Sequence, residues 1–282
     1  MIETYLALPA WSHMALAAVL GLIVGSFVNV VIVRLPARLM HAWQAMGDPQ
    51  SQEAASEPPG LVWSRSRCPL CQHKIAWFDN VPLVSWAILR GHCRHCHRPI
   101  GWRYPIIELL SALMAVAVVW QWGIGWPTLA ALAFTWTLIA ASAIDLEHQL
   151  LPDVLTLGVL WAGLLLNASF AWFATPADAV WGAVAGYGVL WAVLHGFALL
   201  TNKEGMGGGD LKLLAALGAW LGWSMLPFVL FVASALGTVF GLLGMALTQR
   251  GRDTPIAFGP YLALAGWVGL IWQNPLSAWL QF

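Results

Sequence analysis

Residues 12–33, SHMALAAVLGLIVGSFVNVVIV, decide the fold class because they form an uncharged apolar run of membrane-spanning length. About 20 mostly apolar residues are enough for a helix to cross a bilayer. The only charged residue before this run is Glu3, whereas Arg34 and Arg38 follow it. A cleaved signal peptide has its basic segment in front, so we expect a membrane helix whose N-terminus lies outside.

The composition of the whole chain also indicates a membrane protein. Of its 282 residues, 60% are hydrophobic and 9% are charged, whereas soluble domains have about 25% charged residues. The 13 basic and 13 acidic residues cancel, so no net field attracts nucleic acid and we expect no such partner. The 19 tryptophans are typical of membrane–water interfaces. These features exclude a disordered chain, a coiled coil and an ordinary soluble enzyme, and they make membrane lipid the main surroundings.

Further apolar runs follow the first one. Those of spanning length lie near residues 106–122, 127–144, 154–173, 178–200, 225–247 and 257–274. A shorter run, 211–223, could be a short or tilted span, or a re-entrant segment buried in protein. Counting it predicts an all-α polytopic membrane protein with about eight transmembrane helices.

The positive charges support this count. With eight spans and the N-terminus outside, the inner segments are roughly residues 34–104, 145–153, 201–212 and 249–256. All 13 Lys and Arg residues lie in these segments, as the positive-inside rule requires. We therefore predict a first transmembrane helix in 1–34, a cytoplasmic domain in 35–104 and a membrane domain in 105–282.

All four cysteines lie in the predicted cytoplasmic domain, as the pairs Cys68/Cys71 and Cys93/Cys96. Two C-x-x-C pairs can supply four thiolates in a tetrahedron around Zn²⁺. Disulfides rarely persist in the cytoplasm, and a segment this short gains much of its stability from a metal. We predict a closed, structural zinc site; reduced structural cysteines or a redox pair are the alternatives. Neighbouring histidines are expected at the surface, although one could replace a cysteine: His73, His92, His95 and His97.

Two aspartates stand at predicted ends of membrane helices. Asp145 ends the run 127–144, and Asp210 opens the short run after a glycine-rich stretch, 205–209. Ionisable residues at membrane depth are costly and are usually functional. In the predicted topology both carboxylates lie near the inner face, and the spacing permits them to meet without requiring it.

Two carboxylates in one site hold one proton between them. Such a pair suits peptide hydrolysis, because the ionised group takes a proton from water and the protonated group polarises the carbonyl. Glycines beside Asp210 would let a substrate strand approach closely. The alternative is that Asp210 only complements a helix N-terminus, an explanation that fits Asp153 better.

Several stretches together resemble the prepilin peptidase family, the leader peptidases and N-methyltransferases of type IV pilus and type II secretion systems. They are residues 25–36, 68–82, 85–86, 90–93, 103–108, 145–153, 205–212 and 258–260. The resemblance implies an aspartic protease of the GxGD type, so that 105–282 would be its protease domain. The catalytic pair would be Asp145 and Asp210, supported by the motif residues Gly207, Gly209 and Lys212.

The resemblance also implies substrates, a location and a cofactor. The substrates would be prepilins and pseudopilins, cleaved after a glycine at the cytoplasmic face of the bacterial inner membrane. The new N-terminal amine would then be methylated with S-adenosyl-L-methionine. No nucleotide-binding fingerprint is present, so four residues are candidates for the methyl-donor site by resemblance alone: Asp79, Asn80, Arg103 and Glu108. A turn for the first two and interfacial charge pairing for the others are the alternatives.

The chain departs from the family pattern at two places. Gly208 stands between the two motif glycines, and Phe78 stands where a tyrosine is expected. Three rival functions remain: a protease without methyl transfer, a transporter lined by Asp145 and Asp210, and an assembly factor that binds pilin precursors through its zinc domain. The spans hold few polar residues, which disfavours the transporter. The sequence predicts no particular oligomeric state.

Overall fold

The computed structural model describes residues 9–47, 58–201, 207–248 and 257–280, with side chains described as far as residue 272. In these ranges the chain is helical, and β-structure is limited to two isolated bridges, Arg67 with Lys74 and His92 with Pro99. Most of the predicted loop around residues 47–60, and the whole of the predicted inner segment 249–256, lie outside the described residues.

The helices follow the predicted apolar runs. Within the described ranges they are α1 (Ala10–Gly47), α2 (Val84–Ile88), α3 (Arg103–Trp122), α4 (Trp126–His148), α5 (Asp153–Phe170), α6 (Pro176–Thr201), α7 (Gly208–Leu221), α8 (Leu226–Thr248) and α9 (Gly259–Leu280). Six helices of this described part are long and apolar enough to cross a membrane, and Gly259–Trp272 is a shorter apolar helix. The prediction of an all-α polytopic membrane protein is confirmed.

By its internal contacts the chain divides into two compact units, residues 1–140 and 141–282. The division at residues 34 and 104 that the sequence suggested stays a prediction.

In the first unit, α1 and α3 pack closely because glycines of α1 face the backbone of α3. A methyl group on Gly21 would lie 2.6 Å from Cα of Ala112, and one on Gly25 would lie 2.9 Å from Cα of Glu108. Small residues at such a contact let two membrane helices approach to backbone distance. This contact fixes the position of Glu108, which lies near the start of α3.

Helix α1 is longer than its apolar run. It continues past residue 33, through Pro36, to Gly47 and has 38 residues. Beyond the apolar run, Arg34 donates hydrogen bonds to the carbonyl oxygens of Gly60 at 2.6 Å and Ser64 at 3.0 Å. The extension therefore holds the returning chain against α1.

In the second unit, the short helix α7 is the central element. Its residues 213–221 are all buried, and α5, α6 and α9 pack around it. A methyl group on Gly186 would lie 2.6 Å from the carbonyl oxygen of Leu214, and Gly182 contacts Gly218 at backbone distance. Gly188 makes no such contact, since a methyl group there meets no described atom within 4 Å. The short run is thus a helix enclosed by protein, about 21 Å long at 1.5 Å per residue.

One buried amide fixes the far end of α7. Asn167, which is fully buried in α5, donates to the carbonyl oxygen of Ala219 at 2.9 Å. Its Oδ1 accepts hydrogen bonds from the backbone N–H groups of Phe173 and Ala174. The side chain therefore satisfies polar backbone groups of two elements at once, which couples α5 to α7.

Candidate functional site

The structure brings Asp145 and Asp210 together in the second unit. Asp145 lies in the last turn of α4 and Asp210 in the first turn of α7. Each residue is only 6% exposed, and the two carboxyl groups are close enough to repel each other when charged. Two buried carboxyl groups in one site are suited to sharing a single proton, because two adjacent negative charges repel each other.

The two carboxyl groups have different surroundings. The backbone N–H of Gly259 donates to Oδ2 of Asp145 at 3.1 Å, whereas Oδ1 of Asp210 is buried and has no hydrogen-bond partner among the described residues. A backbone donor favours the charged form of a carboxylate. Asp145 is therefore the better placed of the two to carry the negative charge, and Asp210 presents an oxygen to whatever enters the site.

Leu151 packs against two glycines next to this pair of carboxyl groups, Gly209 at the start of α7 and Gly259 at the start of α9. A methyl group on Gly209 would lie 2.7 Å from Cβ of Leu151, and one on Gly259 would lie 3.0 Å from its Cδ1 and 2.6 Å from Oδ2 of Asp145. Glycine is required at both positions because backbone and side chain meet there with no room for Cβ.

The other motif glycines have a different environment. A methyl group on Gly207 or Gly208 meets no described atom within 4 Å. Gly207 precedes the first residue of α7 with an extended backbone, at φ −73° and ψ 145°. Among the described residues, no atom approaches the positions that a Cβ would occupy on these two glycines, which precede Asp210 in the chain.

Lys212 pairs with Asp153 rather than with the buried carboxyl groups. Its Nζ lies 2.6 Å from Oδ1 of Asp153, and both side chains are partly exposed. Exposed ion pairs contribute between about 0 and 1 kcal/mol. The pair therefore serves mainly to align the first turns of α5 and α7.

The four predicted metal ligands form one cluster in the first unit. The sulfur atoms of Cys68, Cys71, Cys93 and Cys96 all lie within 4.8 Å of one another, and the Cys68 and Cys96 sulfurs are 3.9 Å apart. Tetrahedral zinc with Zn–S bonds of about 2.3 Å separates its sulfurs by about 3.8 Å. The cluster therefore has the size and the donors of a four-thiolate metal site.

The two C-x-x-C pairs of the cluster have the same backbone turn. Gln72 N–H donates to the Cys68 carbonyl, and His97 N–H donates to the Cys93 carbonyl. Both donors have a left-handed backbone, with φ of 56° and 52°. The N–H of Cys71 donates to the Cys68 thiolate and lowers the pKa of Cys68 to about 7, whereas the neighbouring thiols raise the pKa of Cys71. The first of these changes favours the thiolate that binds metal.

The histidines take no part in this cluster of described ligand atoms. His73 and His95 instead lie against each other, with ring centroids 3.4 Å apart. All four histidines near the cluster have exposed side chains, as expected, and their exclusion from the metal ligands stays a prediction.

The four methyl-donor candidates separate into two groups. Asp79, Asn80 and Glu108 border one cavity in the first unit, whereas Arg103 is not among the residues that line it and lies over the Tyr104 ring at 4.9 Å. Asp79 and Asn80 also form the expected turn, a 3₁₀ helix at Trp77–Asn80. Two hydrogen bonds from Arg94, at 2.6 and 2.9 Å, lower the pKa of Asp79.

One contributor to the carboxylate site was absent from the predicted residues. Gly259 belongs to the stretch 258–260, which the resemblance marked, but its role as a donor to Asp145 depends on contact across 114 residues of chain. Its place in that stretch was the signal that the sequence offered.

The fold and this site define a polytopic membrane protein with a buried aspartate pair and a separate four-cysteine cluster. Residues 19–122 match the bacterial peptidase A24 N-terminal domain, and residues 132–242 match the type IV leader peptidase family. The chain belongs to the type IV leader peptidase family.

Curated relatives extend over nearly the whole chain. A prepilin leader peptidase/N-methyltransferase of Aeromonas hydrophila is 50% identical and covers 95% of this chain and 94% of its own length. Proteins with the same name are 49% identical in Stutzerimonas stutzeri, over 94% and 93%, and 46% identical in Pseudomonas aeruginosa, over 99% and 97%. No solved structure matches the chain.

Proposed function

We propose that this protein cleaves the leader peptides of type IV prepilins and type II secretion pseudopilins after a glycine and then N-methylates the new N-terminal residue. The buried pair Asp145 and Asp210 is the observation that carries the first activity, in a chain that aligns with prepilin leader peptidase/N-methyltransferases over nearly its full length. The N-methyltransferase part of that name supports the second activity, methylation of the new N-terminal residue.

The surroundings of the two carboxyl groups support different roles for them in cleavage. Asp145, held by the Gly259 N–H, is ionised and takes a proton from water as the water oxygen attacks the scissile carbonyl carbon. Asp210 is protonated and donates its proton to the carbonyl oxygen. When the tetrahedral intermediate collapses, the C–N bond breaks, the leaving amine takes the proton held by Asp145, and Asp210 regains its own.

The proposed site of this reaction is the cytoplasmic face of the bacterial inner membrane, with the N-terminus of the protein outside. The distribution of Lys and Arg residues along the sequence supports this orientation. In this arrangement the apolar helix of a prepilin lies in the membrane, and its short basic leader stays at the cytoplasmic surface. The bond to be cut is then level with α7, where Gly207 and Gly208 leave room for the substrate backbone.

Two groups accompany these activities. Cys68, Cys71, Cys93 and Cys96 hold a zinc ion that stabilises the fold of the cytoplasmic segment, since four thiolate ligands leave no open position for chemistry. S-adenosyl-L-methionine, when bound, would be the methyl donor for the free amine.

Co-expression with a prepilin, followed by intact-mass measurement of the product, tests both activities together. The wild-type chain is expected to remove the leader and to add 14 Da, the mass of one methylene, to the new N-terminus. Asp145→Asn is expected to leave the precursor intact, whereas Glu147→Gln, an exposed carboxylate of the same helix, processes it normally. Full processing by Asp145→Asn would reject the proposed protease, and a cleaved but unmethylated product would reject only the second activity.

A further inference from the structure

An apolar stretch lies between the two C-x-x-C pairs, at residues 75–89, IAWFDNVPLVSWAIL. Its only charged residue is Asp79, although the chain on both sides of the stretch is rich in basic residues. The stretch is too short to cross a bilayer, which takes about 20 residues. Neither the cysteine cluster nor the aspartate pair accounts for its apolar character.

Helix α2, within this stretch, has a face of apolar side chains that the described residues do not cover. Val84 is 54% exposed and Ile88, one turn later on the same face, is 71% exposed. Trp77, in the preceding 3₁₀ helix, is also exposed. Leu113, in the apolar span of α3, has a similar exposure of 59%. The uncovered face of α2 is therefore as apolar and as open as the lipid-facing surface of a membrane helix.

The opposite side of α2 is packed within the first unit. Ser85 is buried and donates to the carbonyl oxygen of Phe78 at 2.7 Å. The ring of Trp86 lies against that of Trp102, with centroids 4.3 Å apart. These contacts fix α2 in place with its uncovered apolar face directed outward.

The contacts between α1 and α3 set the depth at which α2 lies. Gly25 faces the backbone of Glu108, and one turn later Asn29 donates to the carbonyl oxygen of Tyr104. The two helices are therefore antiparallel, with Glu108 level with Gly25. The apolar run of α1 ends at residue 33, so Glu108 lies eight residues, or about 12 Å, inside the end of that run.

Glu108 connects α2 to this depth. Its Oε2 accepts a hydrogen bond at 2.8 Å from the backbone N–H of Leu83, the residue that directly precedes α2. A glutamate side chain and one hydrogen bond together reach less far than that depth, even when the side chain leans toward the start of α3, as helix side chains do. The start of α2 is thus level with apolar residues of α1.

The polar groups of the stretch are largely satisfied within the protein, as lipid surroundings require. Four backbone N–H groups donate to carbonyl oxygens of the same stretch, those of Asp79, Ser85, Ala87 and Leu89. The N–H of Leu83 is bound by Glu108, and proline at position 82 has no N–H to satisfy. The carboxylate of Asp79 is paired with Arg94 at 2.6 Å.

We propose that residues 77–89 lie in the membrane leaflet next to the start of α3, with Trp77, Val84 and Ile88 in contact with lipid acyl chains. This leaflet is the cytoplasmic one in the orientation proposed above. Segments that lie in a membrane interface have an apolar face directed at the acyl chains and aromatic residues at headgroup level. Arg90, which is exposed directly after the stretch, is placed to pair with lipid phosphate groups.

Photolabelling from within the bilayer tests this placement on the unmodified full-length protein. The protein is reconstituted in nanodiscs of phosphatidylethanolamine and phosphatidylglycerol that contain a phospholipid with a diazirine in its acyl chain, and the labelled peptides are mapped after irradiation. Peptides from residues 77–89 should be labelled to within about threefold of those from the span 106–122.

The matched control is the extension of α1 at residues 40–47, which also exposes apolar side chains but lies about 10–20 Å beyond the apolar run. Its labelling should be about tenfold lower than that of residues 77–89. Label on 106–122 without label on 77–89, or equal label on 77–89 and 40–47, would overturn the placement.

A photoreactive residue at position 88 distinguishes lipid from a protein partner. p-Benzoylphenylalanine replaces Ile88 in one variant and Leu113 in a control, and each variant is co-expressed with a prepilin. Both positions are exposed, so both are expected to crosslink to phospholipid and not to the prepilin. Crosslinking of position 88 to the prepilin, with position 113 still crosslinked to lipid, would show that a protein covers this face and would overturn the proposal. Leader cleavage in the same cells reports on the proposed function separately.

Discussion

Replacing Gly259 by alanine tests whether the backbone of α9 sets the geometry of Asp145. The new methyl carbon would lie 2.6 Å from Oδ2 of Asp145, whereas real Cβ atoms essentially never approach closer than 3.0 Å. The carboxylate must therefore move by at least 0.4 Å, and Leu151, at 3.0 Å, blocks part of the available space. The hydrogen bond from the Gly259 N–H, now 3.1 Å long, is stretched or lost.

The expected loss follows from the lost hydrogen bond. A hydrogen bond to a charged group contributes about 1.5–3 kcal/mol, which corresponds to a factor of roughly 10–150 in rate. A misplacement of about 1 Å can reduce the rate about 100-fold, so a shift of at least 0.4 Å is expected to have a smaller but clear effect. We therefore expect Gly259→Ala to lower kcat/KM for leader cleavage about 10- to 100-fold.

The assay is cleavage of a purified prepilin in detergent, followed by gel or mass analysis over time. Gly188→Ala is the matched control, because its methyl group meets no described atom within 4 Å. Thermal unfolding of both variants separates a misplaced carboxylate from a protein that no longer folds. Cleavage by well-folded Gly259→Ala within twofold of the wild type would refute the role given to this backbone contact.

Three further predictions follow from the packing and from the cysteine cluster. Gly209→Ala places a methyl group 2.7 Å from Cβ of Leu151 and should reduce the rate of leader cleavage at least tenfold. The control is Gly208→Ala, whose methyl group meets no described atom within 4 Å and which should fold normally. Equal cleavage rates for the two variants would contradict the packing argument. Asn167→Ala removes the side chain that satisfies buried backbone groups of two elements and should destabilise the protein by about 2–4 kcal/mol, seen as a lower Tm in detergent. The purified protein should carry about one zinc ion by elemental analysis. A chelator strong enough to remove the zinc should unfold the segment around residues 68–96, which is measured as faster hydrogen exchange of its backbone amides. If those amides exchange equally slowly in the metal-free protein, the metal has no structural role.

The spanning helices, the two aspartates and the cysteine cluster could be predicted from the sequence. Apolar length revealed the spanning helices, and the scarcity of charge within them singled out Asp145 and Asp210. The C-x-x-C spacing likewise revealed the cysteine cluster, because zinc-binding turns require that local pattern. These signals are local in the chain, so one sequence is enough to detect them.

Contacts between distant segments could not be predicted in the same way. The hydrogen bond from Gly259 to Asp145 and the enclosure of α7 depend on how the helices of the second unit pack. Asn29 gave no signal either, because a single amide in an apolar run usually satisfies itself on its own helix. In the structure, the amide nitrogen of Asn29 donates to the carbonyl oxygen of Tyr104 in α3. Its amide oxygen has no hydrogen-bond partner among the described residues.

The most direct measurement compares the cleavage rates of Asp145→Asn, Asp210→Asn and the double variant under single-turnover conditions. If the two carboxyl groups share one proton and act as a unit, each single substitution reduces the rate to the same residual level, and combining them reduces it no further. Residual rates that differ strongly between the two single variants, or losses that multiply in the double variant, would show that the two groups do not form one catalytic pair.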